Sequence, residues 1–424
     1  MVTGSRTLCL AGPIGGDTDT PALPPAEVQY RHGLAALNAG DLKAAEAAFQ
    51  KSLKLQPKAV GALLGLAEVA LKKGRAQEAR ANLQRARDLD PKSAPVETAW
   101  GRFLYTQKQF SEAEAALKKA IALNPKAAGP HVDLGDLYLK GLNKPKEAGE
   151  AYRAAIALDR EHAGAHYALG LALSATGMVE QAMAEFQEAG RLAPDNPLSF
   201  QALGRLHASR KEFDKALDAF ATALKVKPNF VPARLDRGDI FAARGADDEA
   251  LAEYAEALKV APKLAEAQVR IGMVHKRNKR FADAERAYLA AVEINPKHAG
   301  AYNSLAWMMA ERKVRLDEAL TWATKAVDLA PKVPGFQDTL GWVHRARGEL
   351  GKAVAALEKA AAAKPEQAEI VYHLGVVYAD KGKTAEAVKA FNRALTLQKD
   401  FSGAEDARQR LSALGQPLAG SARK

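Results

Sequence analysis

The chain has 424 residues, with 61 Lys and Arg against 50 Asp and Glu, for a formal charge of +11. Hydrophobic residues make up 48% of it, which excludes a chain disordered throughout, yet no apolar run approaches the roughly 18 residues that span a bilayer. The one cysteine, Cys9, excludes an intramolecular disulfide.

Residues 1–25 are rich in Gly, Pro, Thr and Asp and read as a disordered lead. Within them Arg6-Thr7-Leu8-Cys9-Leu10-Ala11 resembles a fragment of a signal peptide. Its apolar core falls short of the usual ~7–15 residues, so the expected location is the cytoplasm. Leu8 also departs from the small residue that a lipoprotein box wants before its cysteine. An export signal lost upstream of a misassigned start would instead place the protein in the periplasm or envelope.

From residue 26 to 399 an alanine recurs eleven times, at Ala45, Ala79, Ala113, Ala148, Ala182, Ala216, Ala250, Ala284, Ala319, Ala353 and Ala387. The spacing is 34 residues, and 35 before Ala148 and Ala319. About twelve residues earlier stands Gly in nine units, such as Gly33, Gly170 and Gly204, with Ala67 and Ala306 in the other two. Four residues later comes a bulky side chain such as Phe49, Tyr152 or Phe220, and in the ninth unit Ala323 beside Trp322. A second small residue follows seven after the marker, and a proline such as Pro194 twelve after it closes nine of the units. Spacings of three, four and seven put residues on one helical face. Segments such as Ala163–Gly177 and Glu180–Leu192 therefore read as paired helices, with small residues letting the backbones approach and the bulky residue filling the groove between units. The proline cannot continue a helix and sets the turn into the next unit.

The pattern Leu169-Gly170…Ala182…Phe186…Ala189…Pro194 resembles the bacterial-type tetratricopeptide repeat, a helix–turn–helix unit of about 34 residues. The resemblance implies an all-α solenoid of eleven repeats, wound as a right-handed superhelix. The two one-residue insertions, near Leu142-Asn143-Lys144 and Lys313-Val314-Arg315, fall between the helices of a repeat. Beyond the repeats, Ser402-Gly403-Ala404-Glu405 has capping-box spacing and opens a closing helix within 400–415, followed by a flexible tail over 416–424.

With the marker numbered twenty, the resemblance implies that positions 2, 5, 9 and 12 of each first helix line a concave groove that contacts partners. That lining includes Tyr30, Leu34, Leu64, Glu68, Arg102 and Tyr105 in the early repeats, and Asp136, Tyr167, Leu171, Gln201, Arg205 and Asp239 in the middle. Late in the chain it gathers Asn303, Trp307, Asp338, Trp342, Arg345 and Tyr372, which form the candidate partner-binding site. Trp, Tyr and Arg are the residues enriched at binding hot spots. The alternative is that these aromatics only pack neighbouring helices together. No repeat carries the Lys and Asn pair with which chaperone-binding members clamp a carboxylate.

The densest basic run is His275-Lys276-Arg277-Asn278-Lys279-Arg280, read as a solvated turn, with an acidic protein or nucleic acid as the other reading. Elsewhere Lys and Arg alternate with acids, so nucleic acid is not an expected partner. His162 and His166 share a helical face without the Glu of a zinc-protease motif, and no metal or cofactor is expected. No phosphate loop, nucleophile elbow or dinucleotide fingerprint occurs, so neither an enzyme nor a small-molecule substrate is expected. The expected function is a scaffold that binds protein or peptide partners in its groove. The alternative, from a likeness of Tyr302–Trp307, Asp338–Trp342 and Tyr372–Gly375 to secreted bacterial repeats, is an envelope factor in exopolysaccharide assembly or export.

Overall fold

The computed structural model describes residues 23–414, so the lead up to residue 22 and the tail from 415 lie outside the described residues. These hold 23 α-helices and one π turn, with no strand among them. Two compact units divide at Pro228/Asn229. The N-terminal unit carries six helix pairs, and the C-terminal unit carries five pairs and a closing helix, Ala404–Ala413. Within a pair the first helix mostly has 13 residues and the second 14, as in Ala163–Ala175 and Val179–Leu192.

All eleven marker alanines are fully buried at the contact between the two helices of a pair. The glycines that precede them explain how close that contact is. A Cβ on Gly204 would come within 2.4 Å of the Phe220 ring, and one on Gly33 within 2.5 Å of Phe49. The bulky side chain thus lies under the glycine of its own repeat. Phe49 also reaches Gly65 of the next repeat, so it joins two repeats as well as filling one. Repeat nine inverts the arrangement. Ala323 is small, so the methyl of Ala306 is accommodated, and Met308, Met309 and Trp322 fill the space.

The turn between paired helices needs a left-handed residue five positions before the marker. Six repeats use Gly there, for example Gly245 at φ +78°. Four use Lys108, Asn143, Lys211 and Lys279, at φ between 53° and 60°. The two insertions are absorbed differently. In repeat four the extra residue enters the end of the first helix as a π turn, Leu137–Gly141, rather than the loop. In repeat nine the first helix lengthens to Arg312, and Lys313 and Arg315 both turn left-handed.

The capping box read at Ser402 does not form. Gly403 is the N-cap, without a side-chain bond, and the Ser402 hydroxyl donates to Glu369 instead. Histidine supplies caps elsewhere: His162 Nδ1 and His298 Nδ1 accept from Ala165 and Ala301 main-chain N–H groups. His166 is buried, 2.6 Å from Glu185.

Candidate functional site

The candidate residues lie on first helices of the C-terminal unit, in repeats nine to eleven: Ala299–Arg312, Pro334–Ala346 and Ala368–Asp380, with Ala265–Arg277 of repeat eight beside them. Consecutive first helices pack directly here, which places position 9 of one repeat beside position 9 of the next. Trp307 and Trp342 accordingly stack, with centroids 5.8 Å apart and planes 15° from parallel. His373 closes against both rings, 4.6 Å from Trp342 and 5.4 Å from Trp307. Its Nδ1 lies 2.9 and 3.0 Å from the two carboxylate oxygens of Asp338, a side chain that is itself buried. The Arg345 guanidinium sits 4.5 Å over Trp342 and donates to Asp380 at 2.6 Å.

Tyr372 borders this stack, its ring 5.5 Å from His373, and turns its hydroxyl to the closing helix. Its hydroxyl donates to Asp406 of the closing helix at 2.7 Å, and its ring packs on Phe391 and Phe401. Gly403 admits it, since a Cβ there would come within 2.4 Å of the ring. Burial, with the Asp406 carboxylate behind it, pushes the Tyr372 phenol up to about 12.

On the other side of Trp307 the surface opens into a pocket of about 690 Å³. Asn303, Trp307 and Asp338 line it, whereas Trp342, Arg345 and Tyr372 do not. The six sequence candidates therefore divide between an open wall and a packed cluster. Two residues at lining positions 9 and 12 of repeat eight complete the wall: Met273, 58% exposed, and Lys276 of the basic run, whose ammonium lies 5.8 Å from the Trp307 ring. Asp239, read from its register position, also lines the pocket, and it is tied down twice. Arg270 donates to it at 2.9 Å and the Tyr254 hydroxyl at 2.7 Å. Burial drives the Tyr254 phenol far above its ordinary range. Repeat four has the same tyrosine-to-aspartate bond, Tyr152 to Asp136, at 2.6 Å. Asn303 lines the pocket, while its Oδ1 is buried out of reach of solvent with no hydrogen-bond partner, the costly state for an acceptor. Chemically the pocket offers an apolar wall and a cationic edge. Among the described residues no cluster of His, Cys, Asp and Glu could hold a metal, and no helix is long and apolar enough to cross a membrane.

Comparison with known proteins agrees with this repeat architecture. A tetratricopeptide-repeat family model matches residues 30–94, 202–265, 269–334 and 339–413, together more than half of the chain. Two further tetratricopeptide-repeat models match 141–206 and 101–126. A TPR repeat-containing protein of Pseudomonas aeruginosa is 35% identical over 78 residues, which cover 18% of this chain and 13% of that relative. Among solved structures, yeast Tom70 aligns over 92% of this chain and 95% of its own, at 15% identity and a TM-score of 0.52, which reports a shared fold. Pseudomonas aeruginosa pilF aligns over 52% of this chain and 97% of its own, at 22% identity and a TM-score of 0.44. Register, helix pairing and family match coincide along the described residues, and the chain belongs to the tetratricopeptide-repeat family.

Proposed function

We propose that the protein is a non-enzymatic scaffold that holds a protein or peptide partner in the pocket beside Trp307. The observation that carries this reading is the pairing of Met273, a large apolar side chain left in solvent, with one open edge of the Trp307–Trp342 stack. Exposed apolar surface in a concavity rimmed by polar groups is the usual mark of a binding site. The stack itself is held by His373 and Arg345, so Trp307 is presented rigidly and little side-chain entropy remains to be lost on binding.

Peptides selected from a random displayed library against the full chain supply the probe. Trp307→Ala with Trp342→Ala is expected to weaken the selected peptides by at least ~10-fold, about 1.4 kcal/mol. Helical content should stay close to wild type, with melting lowered by the loss of the packed stack. Undiminished affinity in the double variant would move the binding surface elsewhere.

A further inference from the structure

The basic run of repeat eight is not an ordinary solvated turn, because its first two cations line the pocket. Lys276 and Arg277 belong to the wall, and Lys279 and Arg280 continue into the turn. The next turn adds Arg312, Lys313 and Arg315. Nearby carboxylates answer only some of these. Lys276 pairs with Glu311 at 3.1 Å, Arg277 with Asp247, and Arg315 with Glu285 and Glu318. Arg312 lies 4.4 Å over the Phe281 ring. Lys279, Arg280 and Lys313 have no carboxylate partner among the described residues. Inside the pocket the two carboxylates are already engaged, Asp239 by Arg270 and Tyr254, and Asp338 by His373. Set against Asp248 and Glu249, which stand unpaired beside Asp247 among the described residues, the three unpaired cations leave a small positive excess at this end.

We infer that the pocket takes an acidic peptide segment of a partner protein, and this rests on the scaffold reading above. An apolar side chain of the segment seats between Met273 and Trp307. Asp or Glu side chains flanking the anchor meet Lys279, Arg280 and Lys313. Charge at a rim acts mainly on encounter and specificity, and is screened by salt. The apolar contact supplies the salt-independent share. The cations end after two turns and alternate with Asp247, Glu285 and Glu311, so they do not form the continuous stripe that a phosphate backbone needs.

The test uses the full chain and labelled synthetic peptide pools of about twelve residues, long enough to cross the pocket and rim. The pools share Leu, Phe and Met and differ in carrying Asp/Glu, Ser/Gln or Lys/Arg elsewhere. A single-stranded oligothymidylate of similar length is the polyanion control. The acidic pool is expected to bind at least ~10-fold tighter than the neutral one, and to weaken as salt rises. Lys279→Glu with Arg280→Glu and Lys313→Glu, all on exposed turns, should lose that preference and leave the neutral pool unchanged. Met273→Ser, at an exposed position, should weaken the acidic and neutral pools alike. Equal binding of the neutral pool, or no effect of the charge reversal, overturns the acidic assignment, and sensitivity to Met273→Ser would then leave the scaffold reading standing. Tighter binding of oligothymidylate that ignores Met273→Ser overturns it in favour of nucleic acid. Binding by no pool overturns both readings.

Discussion

Glu349 shows how single residues set the joints of this chain. It ends the turn before the second helix of repeat ten, with His344 Nδ1 at 2.7 Å, Arg347 Nε at 3.1 Å and Lys352 Nζ at 3.4 Å. The His344 bond first, then the Arg347 bond, holds its carboxyl down to about 2 from the ordinary 4.5. A carboxylate depressed in the folded state stabilises above its unfolded value and ceases to do so as pH falls through the folded one. The melting temperature of wild type should therefore exceed that of Glu349→Gln at neutral pH, and the gap should close between about 4.5 and about 2. A gap that persists at the acid end would show that the bonds do not depend on the charge. Position 16 of repeat six is built alike, with Glu212 2.7 Å from His207. Residue by residue, the sequence disclosed the marker alanines and glycines, because sterics permit nothing larger there. It did not disclose His373, whereas Met273 stands at lining position 9 of repeat eight, where the register puts a groove residue. His373 stands at position 6, outside the lining set, and only the packing of neighbouring first helices swings it against both tryptophans.

Helices and turns were legible to within a residue or two, because each boundary is written in chemistry: a proline after the second helix, a left-handed residue before it. The exceptions come from context. Ser402 has the spacing of a cap, but Gly403 must accept the Tyr372 ring, and the cap bond is forgone. The insertion in repeat four looks like a longer loop and is instead a π turn, Leu137–Gly141, whose main chain still bonds Leu142 N–H to the Leu137 carbonyl. A π turn is an α-helix with one residue too many. Deleting Gly141 should convert it to regular helix, with helical content unchanged and melting shifted by a few degrees at most. The same deletion made at Gly177, where repeat five has no spare residue, should unfold its helix pair. Circular dichroism melts of the two variants distinguish these outcomes, and equal damage from both would mean the π turn is required.

At the scale of the molecule, cohesion is local. The N-terminal unit has a core that runs from Ala67 to Leu203 through successive repeats, and in the C-terminal unit the apolar contacts fall into smaller clusters such as those around Leu305 and Val377. Arrays of this kind lose structure repeat by repeat rather than all at once. Phe103→Ala, at a fully buried site of the N-terminal core, should cost roughly 3–5 kcal/mol locally. Amide exchange should quicken in repeats two to four and stay as in wild type in repeats nine to eleven, whereas uniform loss of protection would reveal a single cooperative unit. The candidate site was half legible at this scale. Register alone placed Asn303, Trp307 and Asp338 on the pocket, but Tyr372 was claimed by Phe401 and Asp406, which lie beyond the last repeat, where register no longer applies.

The exchange of glycine and aromatic for Ala306 and Ala323 bears on how such a chain can be rearranged. Nine first helices are cut, by a glycine, to accept a large side chain, and repeat nine is cut to a different key. A crossover between whole repeats keeps lock and key together. A crossover inside repeat nine would drive a phenylalanine or tyrosine onto the Ala306 methyl, and one inside repeat two onto Ala67, so exchange between whole repeats is tolerated and exchange inside these two is not.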